Sequence, residues 1–136
     1  MFDTIRSWWR GVPKHEVKEV EWGRRIAKAL TTYGLATRDE VRIFDGTRID
    51  LLTPHHAVEI DWAPKWAEAI GQSLYYGVRS KKQAVVLLLL CDSRDEAYIV
   101  RCRAVCTTNT PKIPIWLLNT KSRVLYLADG QTITVE

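Results

Sequence analysis

Apolar and polar positions repeat along the chain with two different periods, and the period predicts the local structure. Apolar side chains that recur every three or four residues predict an amphipathic helix, whereas alternating or short unbroken apolar runs predict strands. The helical period covers residues 16–33, 65–78 and 94–106. The strand patterns cover residues 40–44, 48–52, 57–62, 84–90, 113–118, 123–127 and 131–135. The chain therefore mixes helices and strands as α/β proteins do.

Turn-forming residues lie at the boundaries of these segments. Gly34 follows the first helical pattern, where a glycine commonly ends a helix. Asp45–Gly46 and Asp129–Gly130 each separate two strand patterns and predict hairpin turns. Ser93 and Glu96 have the spacing of a capping box, which predicts the start of the third helix.

The run at residues 84–90 is apolar without alternation, which is typical of a strand buried on both faces of a parallel sheet. Residues 57–90 supply the strand, crossover helix and second strand that parallel pairing requires. We therefore expect a mixed β-sheet with helices on its faces. Residues 1–13 have aromatic and aliphatic side chains at helical spacing, which predicts an amphipathic arm that docks on its own domain, a partner or a membrane surface.

Length and composition limit the alternatives. A chain of 136 residues with 46% hydrophobic and 26% charged residues has the size and composition of one globular domain. Its longest apolar run, residues 84–91, is far shorter than the roughly 20 residues of a membrane span. The three cysteines form no CxxC motif, which favours a reducing, cytoplasmic compartment.

The net charge of +4 favours acidic partners such as nucleic acid, although only mildly. The charge is unevenly distributed, because residues 46–80 hold three basic and four acidic residues between more basic ends. A metal site within a nucleic-acid-binding surface would have this distribution, and so would chance.

Three carboxylates fall on neighbouring predicted strands. Asp50 lies in the second strand, and Glu59 and Asp61 lie two residues apart in the third, so that these two share a face. Adjacent antiparallel strands would bring the acids side by side, at a cost unless a cation compensates them. Mg²⁺ prefers such oxygen ligands. The alternative is that these acids belong to a solvated face of the sheet.

The predicted elements and their acids together resemble a known family. Over residues 17–118 the predicted α-β-β-β-α-β order and the acids Asp50 and Glu59 resemble the PD-(D/E)XK nuclease superfamily, in its RecB-like and Holliday-junction-resolvase-like branches. The resemblance implies a restriction-endonuclease-like core, with an additional α/β segment and hairpin after it. It also implies that Asp50, Glu59 and the carbonyl of Ile60 bind Mg²⁺ or Mn²⁺.

Further positions match the resemblance in part. A Glu on the first helix of many members corresponds to Glu21, and the Gln-x-x-x-Tyr motif of RecB-like members corresponds to Gln72 and Tyr76. The family's Glu-x-Lys motif departs here, because Asp61 stands at the Lys position. Lys65, at the start of the next helix, would replace that catalytic Lys, or Asp61 would be a further metal ligand.

The resemblance implies a single nuclease-like domain over residues 1–136 that hydrolyses phosphodiester bonds in DNA. The catalytic residues would be Asp50, Glu59, Lys65 and Gln72, and the departure at Asp61 leaves open a degenerate module that binds nucleic acid or protein without cutting. Its small size also leaves a homodimer or a larger complex open. Basic and aromatic residues near these positions are candidate nucleic-acid contacts, namely Arg24, Arg25, Trp62, Trp66, Tyr76, Arg79, Lys81 and Lys82. Each of them has a structural alternative as a core, surface or helix-pairing residue.

Overall fold

A computed structural model describes residues 17–136 as one seven-stranded mixed β-sheet with three α-helices. The helices are α1 (Glu19–Tyr33), α2 (Trp66–Ser80) and α3 (Glu96–Cys106). The strands are β1 (Arg38–Arg42), β2 (Arg48–Leu52), β3 (His56–Trp62), β4 (Gln83–Leu90), β5 (Ile115–Asn119), β6 (Val124–Tyr126) and β7 (Thr132–Thr134). Single turns of 3₁₀ helix, Ala63–Lys65 and Ser93–Asp95, precede α2 and α3.

The strands lie in the sheet in the same order as in the chain, from β1 to β7. The first three strands form an antiparallel meander, β4 and β5 continue from β3 in parallel, and β5 to β7 are antiparallel again. Helix α2 makes the crossover from β3 to β4, and α3 makes the crossover from β4 to β5. The expected mixed sheet, and the predicted order of helices and strands, are confirmed.

Helix α1 covers one face of the sheet. Its apolar stripe, which includes Trp22, Ile26 and Leu30, packs in a single core with side chains from β2 to β7. The helix contacts β1, β2 and β3 and also β7, which is the opposite edge strand. Both ends of the sheet therefore reach the same helix.

Helices α2 and α3 cover the other face. Ala69 and Ile70 of α2 and Cys102 of α3 pack with Val86 and Leu88 in a second core. Alternate residues of β4 thus enter different cores, and Val85 to Leu89 are all buried. The unbroken apolar run follows from this position between two helical layers.

Local predictions hold where turn residues determine the boundary. Gly34 ends α1 with φ 118°, and Gly46 and Gly130 take the positive φ that their turns require. The capping prediction is corrected in detail: the cap before α3 is formed by Asp92 and Asp95, whose carboxylates bind the backbone, and not by Ser93 and Glu96.

The first strand is also displaced from its predicted position. It covers Arg38–Arg42 and not residues 40–44, because Ile43 already belongs to the hairpin turn, where its N–H donates to the Thr47 carbonyl. Residues 1–13, for which an amphipathic arm is predicted, lie outside the described residues. Within residues 17–136 we find no helix with the length and apolar character needed to cross a bilayer.

Candidate functional site

Two carboxyl groups face each other across β2 and β3. Leu51 pairs with Val58 in the antiparallel register, so Asp50 lies opposite Glu59. Their carboxyl groups hydrogen-bond to each other, and Asp50 Oδ2 also accepts the Ile60 N–H at 2.7 Å. The two acids predicted from the sequence to lie side by side therefore do so.

Alternation along β3 gives this strand two chemically different faces. Val58, Ile60 and Trp62 enter the core under α1, so Glu59 and Asp61 point to the opposite face. Glu59 is 6% exposed and Asp61 is 5% exposed, so both acids are buried. The sequence thus places two acids on a buried strand face that would otherwise be apolar.

Burial changes the acidity of the pair. Loss of solvation, the Asp50 charge and the hydrogen bond to Asp50 together raise the pKa of Glu59 to about 10. Burial also raises the pKa of Asp50, although the Ile60 N–H and the hydrogen bond from Glu59 act in the opposite direction. At neutral pH Glu59 is therefore protonated and donates to the Asp50 carboxylate.

Asp61 lies beside this pair with a different set of neighbours. Burial and the Glu19 charge raise its pKa to about 7, whereas the Lys65 charge lowers it. The Trp62 N–H donates to Asp61 Oδ1 at 3.1 Å, which also favours the charged form. Lys65, exposed in the turn before α2, is thus close enough for its charge to act on Asp61.

The acid of α1 that acts on this site is Glu19, which no sequence motif indicates. Its charge raises the pKa of Asp50, Glu59 and Asp61 alike. Glu21, the acid that the resemblance indicates, instead accepts hydrogen bonds from Arg24 at 2.6 Å and from Arg25 at 3.1 Å. Both acids lie in the first turn of α1, and only the packing orientation of that helix distinguishes them.

Tyr76 of α2 reaches the same region. Its hydroxyl hydrogen-bonds to Thr47, and its pKa is raised by burial and by the charges of Glu59 and Asp50. The neighbouring Tyr75 hydroxyl donates to Asp45 in the same β1–β2 turn. Gln72, one turn earlier on α2, is exposed. Helix α2 thus connects the hairpin turn to the carboxyl groups.

The remaining candidate contacts occupy different environments. Trp62 is buried in the core under α1, and Trp66 is half-buried against the second core. The Arg79 guanidinium stacks over the exposed Phe44 ring at 5.2 Å, and it also lies over Tyr75. Lys82 Nζ donates to the Thr53 carbonyl at 2.6 Å, which joins the end of α2 to the β2–β3 turn. Lys81 is exposed at the C-cap of α2 with φ 58°.

The donor chemistry of the Asp50–Glu59 pair fits a magnesium ion. Mg²⁺ is commonly held by one or two carboxylates, with water and substrate phosphate as its other ligands. Within residues 17–136 no group of three or more His, Cys, Asp or Glu side chains converges closely enough to hold an ion. The match to Mg²⁺ therefore depends on the carboxylates of Asp50 and Glu59 alone, and a bound cation would replace the proton that they share.

Comparisons of the chain with protein-family models, with curated proteins and with solved structures gave no match.

Proposed function

We propose that this chain is a divalent-metal-dependent nuclease that hydrolyses phosphodiester bonds in DNA, on a restriction-endonuclease-like core. The observation that carries the proposal is the hydrogen-bonded pair of Asp50 and Glu59 on adjacent strands. Two buried acids that share one proton are costly to ionise together unless a cation is present. The resemblance to the PD-(D/E)XK superfamily assigns these two positions to the metal ligands.

The order of elements also supports the proposal. The structure contains a helix, three meandering strands, a crossover helix and a parallel strand in the order that the resemblance implies. The acids lie on β2 and β3, as the family pattern requires, and α2 follows directly. A cytoplasmic location is part of the same proposal.

In this mechanism Asp50 and Glu59 would hold Mg²⁺ or Mn²⁺, and the family pattern adds the carbonyl of Ile60. The ion would supply positive charge beside the reacting phosphate and would make water more acidic. Lys65 offers a second positive charge on the Asp61 side, where it would stabilise the negative charge that develops on the phosphate. Tyr76, bonded to Thr47, would hold the hairpin turn against the site.

A second function is favoured by one observation, namely the acid at the family's Lys position. Asp61 is buried and lies near Lys65, so that it partly cancels the positive charge that catalysis would use. Under this alternative the chain keeps the scaffold and binds nucleic acid or a protein without cutting. Metal-dependent cleavage separates the two functions.

The test is cleavage of single-stranded, duplex and branched DNA in Mg²⁺, in Mn²⁺ and in excess chelator. Glu59→Gln preserves the size of the side chain and removes its charge, and Glu96→Gln makes the same change on the exposed face of α3. We expect cleavage by the wild type and by Glu96→Gln in metal alone, and none by Glu59→Gln. Equal cleavage by all three proteins would assign the activity to a contaminant. Absence of cleavage in every metal would support the binding module.

A further inference from the structure

A groove lies between α1 and the β6–β7 hairpin, on the face of the sheet opposite to the one that carries Glu59 and Asp61. It forms a cavity of about 540 Å³, within the size range of small-ligand sites. Arg24, Arg25 and Lys28 line it from the helix, and Arg123 lines it from the turn before β6. Four positive side chains thus converge on one concave surface.

The positive charge of this groove is only partly neutralised. Arg24 and Arg25 share the single carboxylate of Glu21. Within residues 17–136 Lys28 and Arg123 make no ion pair, and Glu136 is the one acidic residue of the lining. Since like charges gathered in a concavity attract anions, the groove has the electrostatics of an anion-binding site.

The interior of the groove is less polar than its rim. Ile133, which is buried, and Ala29, which is half-buried, form the apolar part of the lining, whereas Arg24 and Lys28 are exposed. Tyr33 is half exposed at one end, and its hydroxyl donates to Gln131 of the hairpin, which holds the ring in place. A ligand that combines phosphates with flat, weakly polar groups would satisfy both parts of the surface.

We propose that this groove binds the phosphate backbone of a single-stranded nucleic acid, with Lys28 and Arg123 as the principal phosphate contacts. A nucleotide chain places phosphates at the charged rim and sugars or bases over Ile133 and Tyr33. The inference goes beyond the proposed function because it needs neither the carboxyl pair nor cleavage. A flat membrane surface fits less well, since the apolar side chain of Ile133 is recessed and not exposed.

The test is the affinity for a fluorescent single-stranded oligonucleotide in excess chelator, measured by anisotropy from low to moderate salt. The variant Lys28→Gln with Arg123→Gln removes two charges from the groove. The matched control, Arg103→Gln with Lys112→Gln, removes two exposed and unpaired charges from the opposite side of the sheet. Thermal melts of both variants verify that they are folded.

We expect the groove variant to bind at least about tenfold more weakly at low salt, and its salt-dependence slope to fall by about 1.4, since each phosphate contact on a single strand contributes about 0.7. The control should stay within about threefold of the wild type. Equal losses in the two variants would overturn the proposal. Competition by pyrophosphate at matched phosphate concentration would overturn it in favour of a free phosphate compound. Groove-dependent binding to phosphatidylserine vesicles without oligonucleotide binding would overturn it in favour of a membrane.

These outcomes are independent of the nuclease proposal. If the wild type cleaves DNA and the groove variant binds DNA as well as the wild type does, the nuclease proposal stands and the groove proposal is wrong. If the wild type never cleaves but needs Lys28 and Arg123 for binding, the groove proposal stands and the nuclease proposal is wrong.

Discussion

Asp50 and Glu59 lie opposite each other on β2 and β3, and one proton is shared between their carboxyl groups. In an unfolded chain Glu59 would have its ordinary pKa of 4.5, whereas in the fold its pKa is about 10. Between these two values the folded protein holds a proton that the unfolded chain has released. Ionisation of Glu59 therefore links the free energy of unfolding to pH, and this free energy falls as pH rises.

Glu59→Gln should remove this dependence. Below about pH 4.5 the variant and the wild type should have similar free energies of unfolding, because Glu59 is neutral in both states. At pH 8 to 9 the variant should be more stable by about 1–3 kcal/mol, since its amide never ionises beside Asp50. Chemical denaturation across this pH range measures the difference. Glu96→Gln should follow the wild type, and parallel curves for all three proteins would contradict the assigned proton.

Binding of Mn²⁺ should compete with the shared proton. A cation at Asp50 and Glu59 needs both groups ionised, so its affinity should rise with pH between about 6 and 9 and binding should release about one proton. Calorimetric titration in buffers of different ionisation enthalpy measures that proton directly. Affinity that is independent of pH, or unchanged in Asp50→Asn, would locate the ion elsewhere.

Lys65→Ala should separate metal binding from catalysis. The charge of the Lys65 ammonium group acts on Asp61, and this group forms no hydrogen bond with Asp50 or Glu59. We therefore expect Mn²⁺ affinity within about threefold of the wild type, and a cleavage rate lower by about 10- to 100-fold because a stabilising charge is lost. Lys65→Arg should restore part of the rate. If Lys65→Ala cleaves at the wild-type rate, the residue is a solvated surface group.

Two glycines of α2 should respond in opposite ways to alanine. A Cβ at Gly77 would lie 3.0 Å from Ala84 Cβ and 3.3 Å from backbone atoms of Lys82 and Ala84, so Gly77→Ala should lower the free energy of unfolding by about 1–3 kcal/mol. A Cβ at Gly71 would meet nothing within 4 Å, so Gly71→Ala should raise it by about 0.5–1 kcal/mol. Thermal or chemical denaturation of the pair measures both signs. Destabilisation by both changes would mean that α2 lies closer to its surroundings at Gly71.

The sequence predicts the features that depend on local patterns. The hairpin turn at Asp45–Gly46, the end of α1 at Gly34 and the buried strand around Val85–Leu89 each follow from a short-range rule that the fold does not override. The pairing of Asp50 with Glu59 is also accessible, because a short turn between two strands limits their register. These features carry most of the topology.

Other features depend on orientations that only the folded chain determines. Glu19 and Glu21 are two residues apart on α1, and the spacing alone does not say which acid approaches the sheet. The sequence predicts Trp62 as a candidate base-stacking residue. In the structure the alternation along β3 places its side chain in the core, on the face opposite to Asp61. The groove beside Lys28 and Arg123 brings together positions almost a hundred residues apart. No local sequence pattern predicts such a groove.

The contact of α1 with both edges of the sheet has a consequence for the order of folding. Ile26 packs in the same core as Ile133 and Val135, which are separated from it by more than a hundred residues of chain. During synthesis the helix can emerge early, but its apolar stripe stays incompletely covered until β7 is available. Closure of so long a loop is slow relative to helix formation. The Trp22–Leu30 stripe therefore becomes a complete core only when the C-terminal strand has joined the sheet.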